Sequence, residues 1–247
     1  MEPADPAVVA TLLVEGDPLV PGSTVALGDD VARHVRARRL GVGASLALID
    51  GQGHRAIGTL VRLSPAMTVE VESLSVANPP AALHVLVPIA DKDRMMWLAE
   101  KVAEVGATSW RPVMFRRSRS VKPRGEGPMF NARVRARMGS ALEQSGGLWL
   151  PTLYPEANLV RALSALPADG SRIVLDRDGE SLVSAPMIPP VTIAIGPEGG
   201  IERDELEELQ RAGFRRSRVA ASTLRFETAG LAGTAIAALR LLEATRP

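Results

Sequence analysis

Glu198 stands in Ile195-Gly196-Pro197-Glu198-Gly199-Gly200, one carboxylate among three glycines, directly behind the apolar run Val191 to Ile195. With no Cβ, glycine accepts positive φ and lets a bound molecule approach the main chain closely. The spacing predicts a strand ending in a tight turn. A helix follows at Glu202-Arg203-Asp204-Glu205, acidic in its first turn as the helix dipole favours. The turn therefore falls at the carboxyl end of a strand, where open α/β sheets bind ligands. A second motif, Leu224-Arg225-Phe226-Glu227-Thr228-Ala229, opens the last predicted helix.

Other chemistries are poorly served. Gly41-Val42-Gly43 and Gly51-Gln52-Gly53 open no long helix, so they read as hairpin turns rather than dinucleotide loops. No Lys-Ser or Lys-Thr follows a glycine loop, and there is neither a Gly-x-Ser-x-Gly elbow nor any cysteine. The three histidines, His34, His54 and His84, lack the spacing of a metal site. We expect no metal.

The elements that must position these motifs change character along the chain. Up to about residue 75, short strands (24–27, 45–50, 56–63 and 68–74) alternate with turns, and one helix spans 29–40. This is a small β module, expected over 1–77, with Asn78-Pro79-Pro80 as the linker. From Leu83 strands alternate with helices, as in a largely parallel sheet, so a larger α/β domain is expected over 78–247. Its strands are predicted at 83–89, 110–115, 173–176, 191–195 and 217–220. Its helices are predicted at 91–105, 128–144, 202–212 and 227–244. Residues 116–127 read as a basic loop. Trp97, Leu98, Val102 and Val105 are read as one core or dimer-interface face of the first helix.

Hydrophobic residues make up 46% of the 247, enough for a substantial core, while the longest apolar runs are too short to span a bilayer. No secretory signal is visible in residues 1–10, and a cytoplasmic protein is expected. The net charge of +1 conceals two basic clusters, at Arg33 to Arg39 and Arg111 to Arg137, while acidic residues gather at Glu202 to Glu208. Clustered guanidinium groups suit phosphates, so a nucleic-acid partner is one reading and a solvated face the other. Aromatics are only 3%, which argues against an extended base-stacking groove.

Taken together, Gly196 to Gly200, Leu224 to Ala229 and Glu143-Gln144-Ser145-Gly146 resemble the RsmE family of 16S rRNA (uracil-1498-N3)-methyltransferases, of the SPOUT superfamily. Lys92-Asp93-Arg94-Met95, Lys101 to Gly106, Arg117-Ser118-Arg119-Ser120 and Asp50-Gly51-Gln52-Gly53 extend the similarity along nearly the whole chain. The chain departs from that pattern at Gly147, Val219-Ala220, Phe226 and Ala37-Arg38-Arg39. The resemblance implies a PUA-like β-barrel RNA-binding module followed by a trefoil-knotted α/β methyltransferase domain, working as a homodimer on the small ribosomal subunit.

It also implies S-adenosylmethionine as cofactor, held by Leu175, Ile195, Gly196, Pro197, Gly199, Gly200, Ala220, Ser222, Leu224, Thr228 and Ala229. On this reading Glu198 is the proton acceptor or orienter, and Arg225 the positive group near developing negative charge. The alternatives are a Glu198 carboxylate that binds amides of its own turn, and an Arg225 that pairs with Glu227 or a phosphate. RNA contacts are expected from Arg36, Arg39, Lys92, Arg94, Arg116, Arg117, Arg119, Arg124 and Gln144, with Glu143 either facing the nucleotide or bridging structure. The competing functions are an RNA-binding ribosome-assembly protein without turnover and a methyltransferase for another RNA site.

Overall fold

A computed structural model describes residues 8–16, 18–120 and 124–244, with the side chains at 119 and 120 excepted. The chain forms two compact units. One comprises residues through Pro79 with Gly139–Leu150; the other comprises Pro80–Met138 and the chain from Pro151 onward.

The first unit holds β1 (Ala10–Leu13), β2 (Thr24–Ala26), α1 (Asp29–Ala37), β3 (Ser45–Ile49), β4 (His54–Arg62) and β5 (Thr68–Val76) in a sheet ordered β1-β3-β4-β5-β2. β1 runs parallel to β3 and the other pairs are antiparallel. Alternation drives burial: Val69 and Val71 of β5 point inward while Glu70 and Glu72 face solvent. They pack with Leu12, Leu46, Leu48 and Leu60 in a continuous core, each such side chain contributing about 1.5–3 kcal/mol. β4 bends at two register shifts, and Gly58 sits where a Cβ would meet Val69 Cγ1 at 2.8 Å.

α1 turns Ala32 and Val35 into this core and leaves Arg33, His34 and Arg36 outside. It ends at Ala37, earlier than the pattern predicts. The N–H of Leu40 bonds Val35 O and that of Arg39 bonds Arg36 O, so Arg39 takes φ 56°. Gly41–Gly43 consequently joins a helix to a strand. It is not the hairpin turn its composition predicts, whereas Gly51–Gly53 does join β3 to β4.

In the second unit, β6 (Leu83–Pro88), β7 (Ser109–Met114), β8 (Thr152–Leu153), β10 (Ser171–Ser181), β11 (Val191–Ala194) and β12 (Arg215–Arg218) form a parallel sheet ordered β12-β10-β11-β6-β7-β8, with β9 (Ala157–Asn158) also on β7. The helices are α2 (Lys92–Glu104), α3 (Pro128–Ser145, of which the residues from Gly139 belong to the first unit), α4 (Leu159–Ser164), α5 (Arg203–Arg211) and α6 (Phe226–Ala244). β6 and β11 are apolar except for His84 and Thr192, because both faces are covered. β11 enters between β10 and β6, after which the chain passes back to place β12 outside β10.

Small residues let α6 approach the sheet. A Cβ on Gly230 would meet Ile195 Cδ1 at 2.7 Å, and one on Gly233 would meet Leu175 Cδ1 at the same distance. Leu98 and Val102 of α2 are fully buried, but Trp97 is 42% exposed and so does not share their face. One residue before Leu98 on a helix is about 100° away, which carries Trp97 to the rim. The basic segment is not all loop, since a 3₁₀ turn spans Arg116–Ser120.

Candidate active site

Parallel pairing of Ser171–Val174 with Val191–Ala194 sets Leu175 and the residues after it in β10 beside the turn that follows β11. Leu175 to Asp178 of β10, the turn after β11, residues 217–224 from the end of β12 onward and the first turn of α6 enclose a cleft of about 510 Å³. Of the residues expected to hold a cofactor, Leu175, Ile195, Gly196, Pro197, Gly200, Ala220, Ser222, Leu224 and Ala229 line it, together with Glu198. Gly199 and Thr228 belong to the same segments but are not among the lining residues. Arg117, expected as an RNA contact, does line the cleft.

Two glycines of the turn line the cleft. Gly196 leaves no room for a Cβ, which would meet Ile201 Cγ1 at 2.8 Å, and Gly200 sits at φ 79°. The turn closes on itself through Gly200 N–H donating to Pro197 O at 2.8 Å. Glu198 is therefore not needed to satisfy its own turn, and its carboxylate goes elsewhere. Arg94 Nη1 donates to Glu198 Oε1, and Arg94 Nε lies 3.9 Å from Glu227 Oε1. Arg94 is aimed by the start of α2, where Asp91 Oδ1 accepts the N–H groups of Asp93 and Arg94, each at 3.1 Å. Such a cap contributes about 1 kcal/mol.

Arg225 is exposed, and no ion pair with it occurs among the described residues. Glu227 approaches Arg94 rather than Arg225. Asp176, which also lines the cleft, accepts from Arg216 Nε at 2.9 Å and Nη2 at 3.1 Å. Burial alone would raise the Asp176 carboxyl, but hydrogen bonds from Arg216 and from the Asp178 N–H hold it below the usual range. No sequence motif announces this pair: Asp176 is visible as an acid ending an apolar strand, but its partner lies 40 residues away.

A family model described as an RNA methyltransferase domain matches residues 77–238. The chain belongs to the RNA methyltransferase domain family. This bears out the resemblance drawn from the motifs. A ribosomal RNA small subunit methyltransferase E from Neisseria gonorrhoeae, solved bound to S-adenosylmethionine, is 27% identical with a TM-score of 0.82, over 94% of this chain and 97% of that one. A probable rRNA-methyltransferase from Porphyromonas gingivalis is 26% identical with a TM-score of 0.74, over 90% and 94%. A putative methyltransferase from Legionella pneumophila, solved with S-adenosylmethionine, shares the fold at 22% identity and a TM-score of 0.80, over 95% and 96%.

The arginines of this RNA methyltransferase family member fall into two groups. Arg36 and Arg39 are exposed on and after α1. Arg116 and Arg117 instead meet the acidic start of α5. Arg116 pairs with Asp204, and its N–H donates to Glu205 Oε1 at 2.8 Å. Arg117 Nε donates to Glu202 at 2.7 Å, and its Nη1 donates to Gly199 O. The bond from Arg117 holds the Glu202 carboxyl below its ordinary range. Both arginines keep about half of their surface exposed, at 49% and 47%. Arg124 Nη2 pairs with Glu126 at 2.8 Å.

Lys92 is half-buried at the start of α2, Gln144 is exposed at the end of α3, and the Arg119 side chain lies outside the described residues, as does Lys122. Glu143 is structural: its Oε1 accepts the Leu13 N–H at 2.8 Å. No described helix is long and apolar enough to cross a membrane, and no described cluster of His, Asp or Glu could hold a metal.

Proposed function

We propose that this chain transfers a methyl group from S-adenosylmethionine to N3 of a uridine in 16S rRNA, at position 1498 by family resemblance. The observation that carries the reading is the cleft itself, lined by Leu175 to Asp178 of β10, by the turn after β11 with Gly196, Gly200 and Glu198, and by residues 217–224. Its volume and mixed apolar and polar walls suit a nucleoside-sized ligand. Two relatives of the same fold were solved with that donor bound.

The donor supplies a methyl on a sulfonium, which leaves with its bonding pair kept by sulfur. The chain's own residues must do the rest. Uracil N3 carries an imide proton, so the nitrogen pair becomes available when that proton departs. Glu198 receives the proton, and the N–H electron pair forms the new N–CH₃ bond. Arg225 stands beside the charge that builds on the ring oxygens. Exposed Arg36 and Arg39, with the outward faces of Arg116, Arg117 and Arg124, meet phosphates.

The same reading assigns residues 1–77 as a PUA-like RNA-binding barrel and 78–247 as a knotted methyltransferase domain in a cytoplasmic protein. It also makes the chain a homodimer. An apolar groove in the second unit, bounded by Pro80, Leu83 and Val105 and by Leu239 and Leu242 of α6, supports that, since both leucines are 56% exposed.

Deleting the protein and mapping rRNA by mass spectrometry tests the reaction and target together. Loss of one N3-methyluridine from 16S rRNA is the expected result. Unchanged rRNA, or no calorimetric heat with S-adenosylmethionine, overturns the reading.

A further inference from the structure

Arg94 is shared unequally between two carboxylates, and the second of them has no task in the scheme above. Glu227 is 9% exposed, in the first turn of α6, where an acidic side chain suits the helix dipole. Its Oε1 lies 3.9 Å from Arg94 Nε, beyond a hydrogen bond, and its Oε2 is buried without a hydrogen-bond partner among the described residues. A buried, unsatisfied carboxylate oxygen is costly, and native structures keep few of them. Meanwhile Arg94 donates to Glu198 Oε1, so one oxygen that would meet an imide proton is already occupied. One guanidinium cannot neutralise two carboxylates, which leaves this cluster with surplus negative charge beside the cleft.

We propose that Glu227 is a positioning residue, the second berth for Arg94: entry of the uracil draws the guanidinium from Glu198 to Glu227, and the released Glu198 carboxylate takes the N3 proton. The three groups come from three elements, α2, the turn after β11 and α6, so a swing of the Arg94 side chain alone exchanges partners without moving the backbone. Arg94 fits the task because its fork can donate through Nε to one acid and through Nη1 to another. The proposal rests on the methyltransferase reading and on Glu198 as acceptor.

The test measures methyl transfer to small-subunit rRNA by wild type, Glu227→Gln, Glu227→Asp, Arg94→Ala and the double variant Arg94→Ala/Glu227→Gln. Donor binding is followed by calorimetry. Glu227→Gln should lower kcat about tenfold while the KM for donor and RNA stays within about twofold, and Glu227→Asp should recover most of the rate. In the Arg94→Ala background the same change should alter the rate less than about twofold, because the berth has lost its occupant. Equal losses in both backgrounds, a normal kcat for Glu227→Gln, or donor binding lost along with rate would each overturn the berth. Wild-type protein that methylates no RNA would overturn it together with the proposed function, a result distinct from an active wild type with an unaffected variant.

Discussion

Asp50-Gly51-Gln52-Gly53 and Gly196-Pro197-Glu198-Gly199-Gly200 each set one carboxylate among glycines behind an apolar strand. In the first, Asp50 turns back on its own loop: Oδ1 accepts the N–H groups of Gln52 at 2.7 Å and His54 at 3.2 Å, and Oδ2 meets His54 Nδ1 at 2.6 Å. Its glycines are walled in, Gly51 by Leu150 and Gly53 by Trp149 and Ala77 O. In the second, a backbone bond closes the turn, so Glu198 is free to reach Arg94, 104 residues away. The glycines there are flanked by Ile201 and Arg117, and two of them, Gly196 and Gly200, line the cleft. Composition makes the two turns look alike; the destination of the carboxylate separates a structural corner from a site.

The largest expected effect comes from filling each turn. A Cβ on Gly53 would lie 2.8 Å from Trp149 Cε2 at φ 95°, so Gly53→Ala should lower the free energy of unfolding by about 3 kcal/mol. Gly200→Ala meets nothing nearer than Arg117 Nη1 at 3.4 Å, so it carries only the left-handed backbone penalty of about 1–2 kcal/mol. Its main effect should fall on donor affinity. Urea denaturation and calorimetry on both variants check this. A Gly53→Ala protein with impaired donor binding and intact stability would erase the distinction.

Exchanging carboxylate for amide sharpens the same contrast. Glu198→Gln should slow methyl transfer about a hundredfold while leaving stability within about 0.5 kcal/mol. Asp50→Asn should do the reverse, losing about 1–2 kcal/mol of stability with the transfer rate retained, because the amide cannot accept from every donor that Asp50 serves. Steady-state rates beside melting curves decide it, and wild-type kinetics for Glu198→Gln would remove Glu198 from the chemistry.

Short-range physics makes the glycine-turn site legible in the amino-acid sequence. The run Val191 to Ile195, the turn itself and the acidic helix start are local signals, and they correspond to β11, the 196–200 turn and α5. The capping arrangement, Glu202 N–H to Glu205 Oε2 at 3.1 Å, spans three residues and so is visible in sequence. Features that depend on distant partners are not legible in this way. β1 is four residues long and exists by pairing with β3. β10 runs on through Asp176-Arg177-Asp178-Gly179, a composition strands disfavour, because β12 holds it across a register shift where Gly179 allows close approach. The acidic and basic runs are both evident along the chain, yet nothing in either says that Arg116 meets Glu205, 89 residues away.

A smaller effect follows from acid. Burial alone would raise the Asp50 carboxyl, but hydrogen bonds from the Gln52 N–H and from His54 hold it below its ordinary range. The unfolded chain therefore takes up this proton first as pH falls. The stabilisation is complete above the unfolded value of about 3.9 and is lost as pH drops through the lower folded value. Asp176 and Glu202 titrate in the same direction but are common to wild type and Asp50→Asn, so they cancel in the difference. Urea midpoints between about pH 6 and pH 3 should fall less steeply for Asp50→Asn. Parallel curves would mean that the turn does not depend on the charged carboxylate.

The smallest effect tests a third turn, in which a non-glycine residue takes the glycine conformation. Arg39 holds φ 56° after α1, while every other positive-φ residue among those described is glycine. Its N–H bonds Arg36 O at 2.9 Å, and the next residue bonds Val35 O at 3.2 Å, a helix ending that ordinarily selects glycine. An arginine there carries a backbone penalty of about 1 kcal/mol that packing does not explain, since the residue is exposed. Strain of this kind persists where a side chain has a use. Arg39→Gly should therefore raise stability by up to about 1 kcal/mol and weaken RNA binding, with the slope of log K against log salt shrinking by about 0.7–0.9. Arg36→Gly, at a helical position, should lower stability instead while moving the salt slope by a similar amount. If Arg39→Gly stabilises the protein without changing that slope, the guanidinium contacts no phosphate, and the turn groups with Gly51–Gly53 as a corner rather than with the cleft.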